Sequence, residues 1–272
     1  MTDYHVNINF DNILKVATRG VYRAAIFMGL GVHAATDDRL VEYRLDKFSM
    51  FRVVPESLDD ASLAEAKANF RIFIEAAGLR ELNESFAVFL DGMHWACLHV
   101  AHAGPVKGPL NLKKIHAKFE QVGLKKKFEK LGDLCGVNAK HVDYLLSINE
   151  SRNCLTHRRG IVGEEDLNSD GTLSVKWLGG DFIVRHANGR EEIFVPESLP
   201  IHVPDGGEVF MRFVERVREF QLGEHMRLAT SELLEICFFF THEAQVIYNQ
   251  AVKYAQSVLP AQSTGGSQPP QT

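Results

Sequence analysis

Between residues 11 and 102, apolar side chains return every three or four positions, the period of a helix with one buried face. Ile13, Leu14, Val16, Val21, Tyr22, Ala25, Ile26 and Phe27 predict a first helix over 11–32, ended by Gly29-Leu30-Gly31. Ser57-Leu58-Asp59-Asp60 has the acidic character of a helix start. Leu63, Ala66, Phe70, Phe73 and Ile74 then line one side of a helix over 61–77, with Gly78 as its break. Another helix is expected over 79–102, and two short ones over 112–121 and 125–134 after the Gly104-Pro105 and Gly108-Pro109 loop. Asn138 is the expected cap of the next helix, which closes at Gly160. The period then changes. Three short strands are expected at 172–177, 182–185 and 192–195, with Gly179-Gly180 and Asn188-Gly189 as turns and Pro196, Pro200 and Pro204 closing the meander. A long helical region follows over 207–258, with Gly223 as a candidate break. The stretch 36–55 is ambiguous, and 48–54 within it can be extended.

This pattern predicts a mainly α protein: a helical bundle over 1–162, a small antiparallel β-meander insertion over 163–205, and a helical return over 206–258. The end of the chain, 259–272, is rich in Pro, Gln, Ser, Thr and Gly and is expected to be disordered. Apolar residues make up 45% of the 272, enough for a substantial core. Cys97, Cys135, Cys154 and Cys237 form no C-x-x-C pair, and no basic-then-apolar leader opens the chain. Reduced thiols and a cytoplasmic setting are therefore expected, with no membrane partner.

Charge changes the picture locally. The whole chain carries −5, yet residues 101–160 hold 12 Lys and Arg against 5 Asp and Glu, a local +7 that leaves −12 elsewhere. Lys113, Lys114, Lys118, Lys125, Lys126, Lys127 and Lys130 suit contacts to a polyanion, although a solvated face has the same composition. Phe119 and Phe128 lie among them at helical spacing and are expected in the core. His94, Cys97, His99 and His102 form two i,i+3 pairs that point apart, with no second ligand cluster at matching spacing. No metal site and no cofactor are expected. No P-loop and no G-x-S-x-G elbow is present.

The richest chemistry lies in Glu150-Ser151-Arg152-Asn153-Cys154-Leu155-Thr156-His157-Arg158-Arg159-Gly160-Ile161-Val162. With about 100° per residue and Val142 at zero, Asn149, Asn153, Thr156 and His157 fall between about −40° and +60°. Arg152 lies near the edge of that arc, at about −80°. A second arc holding Tyr144, Ile148 and Leu155 can face the core alone. A guanidinium grips phosphate and an imidazole moves protons near neutrality. With RNA the 2′-hydroxyl is a built-in nucleophile. The same cations also complement a helix C-terminus without any catalytic purpose.

Arg152-Asn153-x-x-x-His157 resembles the R-x(4–6)-H motif of the HEPN superfamily, in the form with a polar residue after the Arg. Arg218 and His225 satisfy the loose spacing too, but lack the adjacent Asn and the Gly-Ile-Val ending. The resemblance implies a dimeric helical bundle and a metal-independent endoribonuclease, with Arg152 and His157 catalytic and Asn153 assisting. Lys125, Lys126, Lys127, Arg158 and Arg159 are the expected RNA contacts. It also implies RNA as substrate, a homodimer, and a toxin or phage-defence role with a possible antitoxin partner. Many members only bind RNA, nucleotides or proteins, so a non-catalytic RNA-binding or assembly module is the alternative.

Overall fold

A computed structural model describes residues 7–45, 53–103, 111–194 and 206–259. The expected 48–54 segment in most of its length, the Gly-Pro loop, the prolines after the third strand and the C-terminal tail lie outside them. Among the described residues the order is α1 (Phe10–Thr36), α2 (Asp60–Ala101), α3 (Leu112–Glu120), α4 (Leu124–Cys135), α5 (Val142–Arg158), β1 (Leu173–Arg185), β2 (Glu191–Ile193), β3 (Glu208–Phe220) and α6 (Thr230–Val258). The protein is mainly helical with a small antiparallel sheet. No described helix is long and apolar enough to cross a membrane.

Helix α2 is the spine. Asp59 caps it by accepting the Ser62 N–H at 2.7 Å. The helix runs straight through Gly78, where the sequence predicts a break. What changes there is burial: 60–74 is largely exposed, whereas Leu79, Leu82, Phe86, Phe89, Leu90 and Met93 are at most 2% exposed. A helix buried on most sides loses its amphipathic period, which reads as an interruption. Gly78 serves contact instead, since a Cβ there would meet the Met28 side chain at 2.2 Å.

Helix α1 also continues past its predicted end. Gly31 faces Ile74, and its missing Cβ lets the two helices approach. Ala17, Gly20, Ala24, Met28, Gly31 and Ala35 form the buried stripe that α2 meets. At Gly20 an added Cβ would sit 2.1 Å from Ser85 Cβ, an atom close to the backbone that cannot swing away. Gly20→Ala is therefore expected to cost about 1–3 kcal/mol by prising α1 from α2, read as a lower denaturant midpoint with an unchanged slope.

Helix α6 closes the core with Ile236, Phe239, Phe240, Ala244, Ile247 and Ala251. Phe240 meets Phe86 edge-on at 5.3 Å. Its start, 230, corrects the long helix expected from 207. Residues 208–220 form β3, which pairs with β1 over its whole length, from Leu173↔Phe220 to Arg185↔Glu208. The sheet order is β2-β1-β3. Gly179-Gly180 is no turn; it lies within β1 opposite Val214 and Phe213. A Cβ on Gly179 would strike the Arg216 and Glu235 side chains at 2.7 Å, so glycine here admits an ion pair between sheet and α6. Asn188-Gly189 does turn the chain, with Gly189 at φ 81°. Leu173, Val175 and Trp177 enter the core, and the Trp177 Nε1–H donates to Glu235 at 2.8 Å.

His94 lies 5% exposed, its ring stacked on Phe119 at 3.8 Å and its Nδ1 3.0 Å from His116 Nδ1. Burial, and then the charge of His116, push its pKa down to about 4. An unfolded histidine titrates near 6.5, so between roughly pH 4 and 6.5 the unfolded chain binds the extra proton. Stability is thus complete above that window and lost as pH falls, by about 2 kcal/mol from pH 7 to pH 5. Urea midpoints at pH 5, 6 and 7 check this, and His94→Phe is expected to flatten the profile.

Candidate functional site at the end of helix α5

Helix α5 buries Tyr144, Leu145, Ile148, Ser151, Cys154 and Leu155, so the predicted core arc faces the core. Asn138 does not cap it. His141 stands at that position, with Nδ1 2.8 Å from Glu243 Oε1 on α6, while the Asn138 N–H donates to Gln250. A polar pair between elements far apart in sequence thus displaces the local capping signal.

The other end is tightly anchored. Arg159 takes a left-handed conformation, φ 53°, and Gly160 follows at φ 78°. The chain then runs antiparallel to the loop before α6. The Val162 N–H donates to Glu224 O at 3.0 Å, Gly223 N–H to Val162 O at 2.9 Å, and Met226 N–H to Gly160 O at 2.7 Å. The Gly-Ile-Val ending therefore fixes the helix terminus to a second segment. His225 belongs to that bridge, facing Ile161, and Arg218 lies on β3 paired with Glu232 at 3.5 Å. The rival R-x(6)-H pair is not on a helix.

His157 is exposed and Asn153, one turn earlier, is half-buried. Both line a cleft of about 390 Å³ together with Glu150, Glu165, Asp166 and Asn168. Burial raises the Glu150 carboxyl above its ordinary range. Cys154 is fully buried, and burial followed by the charge of Asp166 pushes its thiol up to about 12. It is protonated at neutral pH and unavailable as a nucleophile.

Arg152 lines no part of this cleft as described. One guanidinium nitrogen donates to Asn149 Oδ1 at 2.8 Å, and its Nε is buried without a hydrogen-bond partner among the described residues. A spacing of five residues puts it about 140° around the helix from His157. The two side chains flank a strip of half-buried Asn149 and Asn153 and exposed Thr156 rather than sharing one opening within a chain.

The expected RNA contacts divide. Lys125, Lys126 and Lys130 are exposed on α4, and Lys113, Lys114 and Lys118 are exposed on α3. Lys127 is 4% exposed and paired with Asp91 on α2, because it shares the buried face of Phe128 and Leu131. It is a structural cation, not a phosphate contact. Arg158 is likewise occupied: its Nε donates to Asp166 at 2.6 Å, a second nitrogen bonds the other Asp166 oxygen, and Nη1 reaches Glu165 at 3.0 Å. It braces the 3-10 turn Glu164–Asp166, which sequence spacing alone did not connect to the motif. Arg159 is exposed. Phe119 and Phe128 are in the core.

No group of three or more metal-ligating side chains occurs among the described residues. Comparison with family models, with curated proteins and with solved structures finds no match to this chain.

Proposed function

We propose that the protein is a homodimeric endoribonuclease of HEPN type that needs no metal. The observation that carries this reading is the placing of His157: an exposed imidazole on an anchored helix end, with Asn153 one turn away lining the same cleft, where Arg158 pairs two of the three carboxylates, Glu165 and Asp166. An imidazole kept only as packing would be covered, and one kept only to complement the helix dipole needs no cleft.

In this reading a substrate 2′-hydroxyl attacks the adjacent phosphorus and the bond to the 5′-oxygen breaks. His157 moves a proton in that exchange, Asn153 orients the imidazole or the phosphate, and Arg152 neutralises the phosphoryl oxygens. The products carry a 2′,3′-cyclic phosphate and a 5′-hydroxyl. Arg152 and His157 diverge on one helix, so the reading requires a second copy that faces the strip between them. Arg152 of one protomer then meets the partner subunit's His157.

The test is incubation of purified protein with mixed RNA in EDTA, beside His157→Ala. Cleavage that persists in chelator, leaves cyclic phosphate ends and vanishes in the variant supports the enzyme. Equal degradation by both proteins identifies a contaminant and rejects it. RNA that is shifted on a gel but left intact favours the non-catalytic binding module.

A further inference from the structure

A second cleft, of about 420 Å³, lies between the exposed half of α2 and the end of α5. Its volume falls in the range of small-ligand sites. Phe73 stands at its edge 65% exposed, one of the most solvent-open aromatic rings among the described residues. Arg80 and Arg159 bring two guanidinium groups, Asn69 and Thr156 add polar groups, and Ile72 supplies apolar wall. Arg80 reaches Glu84 only at 3.9 Å on an open surface, so its charge is available.

Arg159 is the informative residue. It is the one non-glycine residue with positive φ among the described residues. A helix ending in the left-handed conformation favours glycine, and an arginine there accepts backbone strain while aiming a cation into this cleft. An exposed aromatic face flanked by guanidinium groups is the chemistry that stacks a nucleobase and holds its phosphate. Thr156, in the cleft wall, precedes His157 directly.

We propose that this cleft is a subsite for an unpaired nucleotide of RNA flanking the scissile bond, with Phe73 stacking the base and Arg80 and Arg159 holding the backbone phosphate. The proposal rests on the ribonuclease reading for its substrate. Its residues are distinct from Arg152, Asn153 and His157, so the two can fail separately.

The probe is a single-stranded 2′-O-methyl RNA, in which 2′-hydroxyl attack is blocked. Full-length Phe73→Leu and Arg159→Gly are suitable variants: the first alters an exposed ring and the second relieves backbone strain while removing the charge, so neither is expected to lower the unfolding midpoint. Phe73→Leu is expected to weaken binding about tenfold. Arg159→Gly is expected to weaken binding and to reduce the salt slope by about one. Both raise KM for cleavable RNA and leave kcat near that of the unmodified chain, whereas His157→Ala binds the probe normally. If the unmodified chain cuts RNA while both variants bind the probe as it does, the subsite is overturned and the nuclease stands. If both variants lose binding but the unmodified chain never cuts, the cleft stands as a nucleotide site for RNA, its place beside a scissile bond is overturned, and the nuclease falls. Absence of probe binding by the unmodified chain overturns the subsite.

Discussion

Arg152→Ala and His157→Ala chains, each nearly inactive alone, are expected to recover cleavage when mixed and allowed to exchange subunits. Each single variant should lose about 10²–10⁴ in kcat/KM, the usual effect of removing a proton-transfer group or an electrostatic clamp. A site built from Arg152 of one protomer and the partner's His157 occurs twice in a symmetric dimer. In a mixed dimer one site lacks both groups and the other is intact. With random pairing, activity should approach about a quarter of that of the unmodified protein. The expectation comes from the divergence of the two side chains around α5, with His157 in the Asn153 cleft and Arg152 bonded to Asn149. A mixture no more active than its components would mean that the two residues act within one chain, and would remove the shared site.

The second large effect concerns the other end of the same helix. Glu243 is 1% exposed, and His141 Nδ1 at 2.8 Å is its close partner; its second oxygen has no hydrogen-bond partner among the described residues. His242 Nε2 lies 4.0 Å from the same Glu243 oxygen. His141→Ala should leave a carboxylate buried without compensation and cost about 3 kcal/mol, seen as a lower guanidinium midpoint. Adding Glu243→Gln to that variant removes the charge and should return much of the loss. A cost below about 1 kcal/mol for His141→Ala would show that the pair does not hold α5 to α6.

What the sequence shows about this fold depends on whether the signal is local. The end of α5 at Gly160, the Asn188-Gly189 turn and the core arc of Tyr144, Ile148 and Leu155 are written in neighbouring residues, and the structure holds them there. β3 is different. Its Val, Phe, Met, Arg and Glu residues suit helix and strand alike, and what decides is a thirteen-residue ladder with β1, invisible to any short window. Gly78 and Gly179 read as breaks because glycine's usual role is turning, whereas here each makes room for a neighbouring side chain. In the candidate site the polar residues were legible but their allegiances were not. Nothing in the spacing tells that Arg158 belongs to Asp166, or that Lys127 turns inward to Asp91. Phe73 and Arg80, seven residues apart on α2, share a face, but the α5 terminus that makes them a cleft comes from a distant part of the chain.

The backbone bonds that join Gly160 and Val162 to Gly223, Glu224 and Met226 carry a consequence for biosynthesis. Everything between those segments, the entire sheet included, must be translated before they can meet. A ribosome-bound chain that has just exposed Val162 holds its histidine on an untethered, fraying terminus. The His157 end of α5 is thus fixed only once the sheet between these two segments is in place.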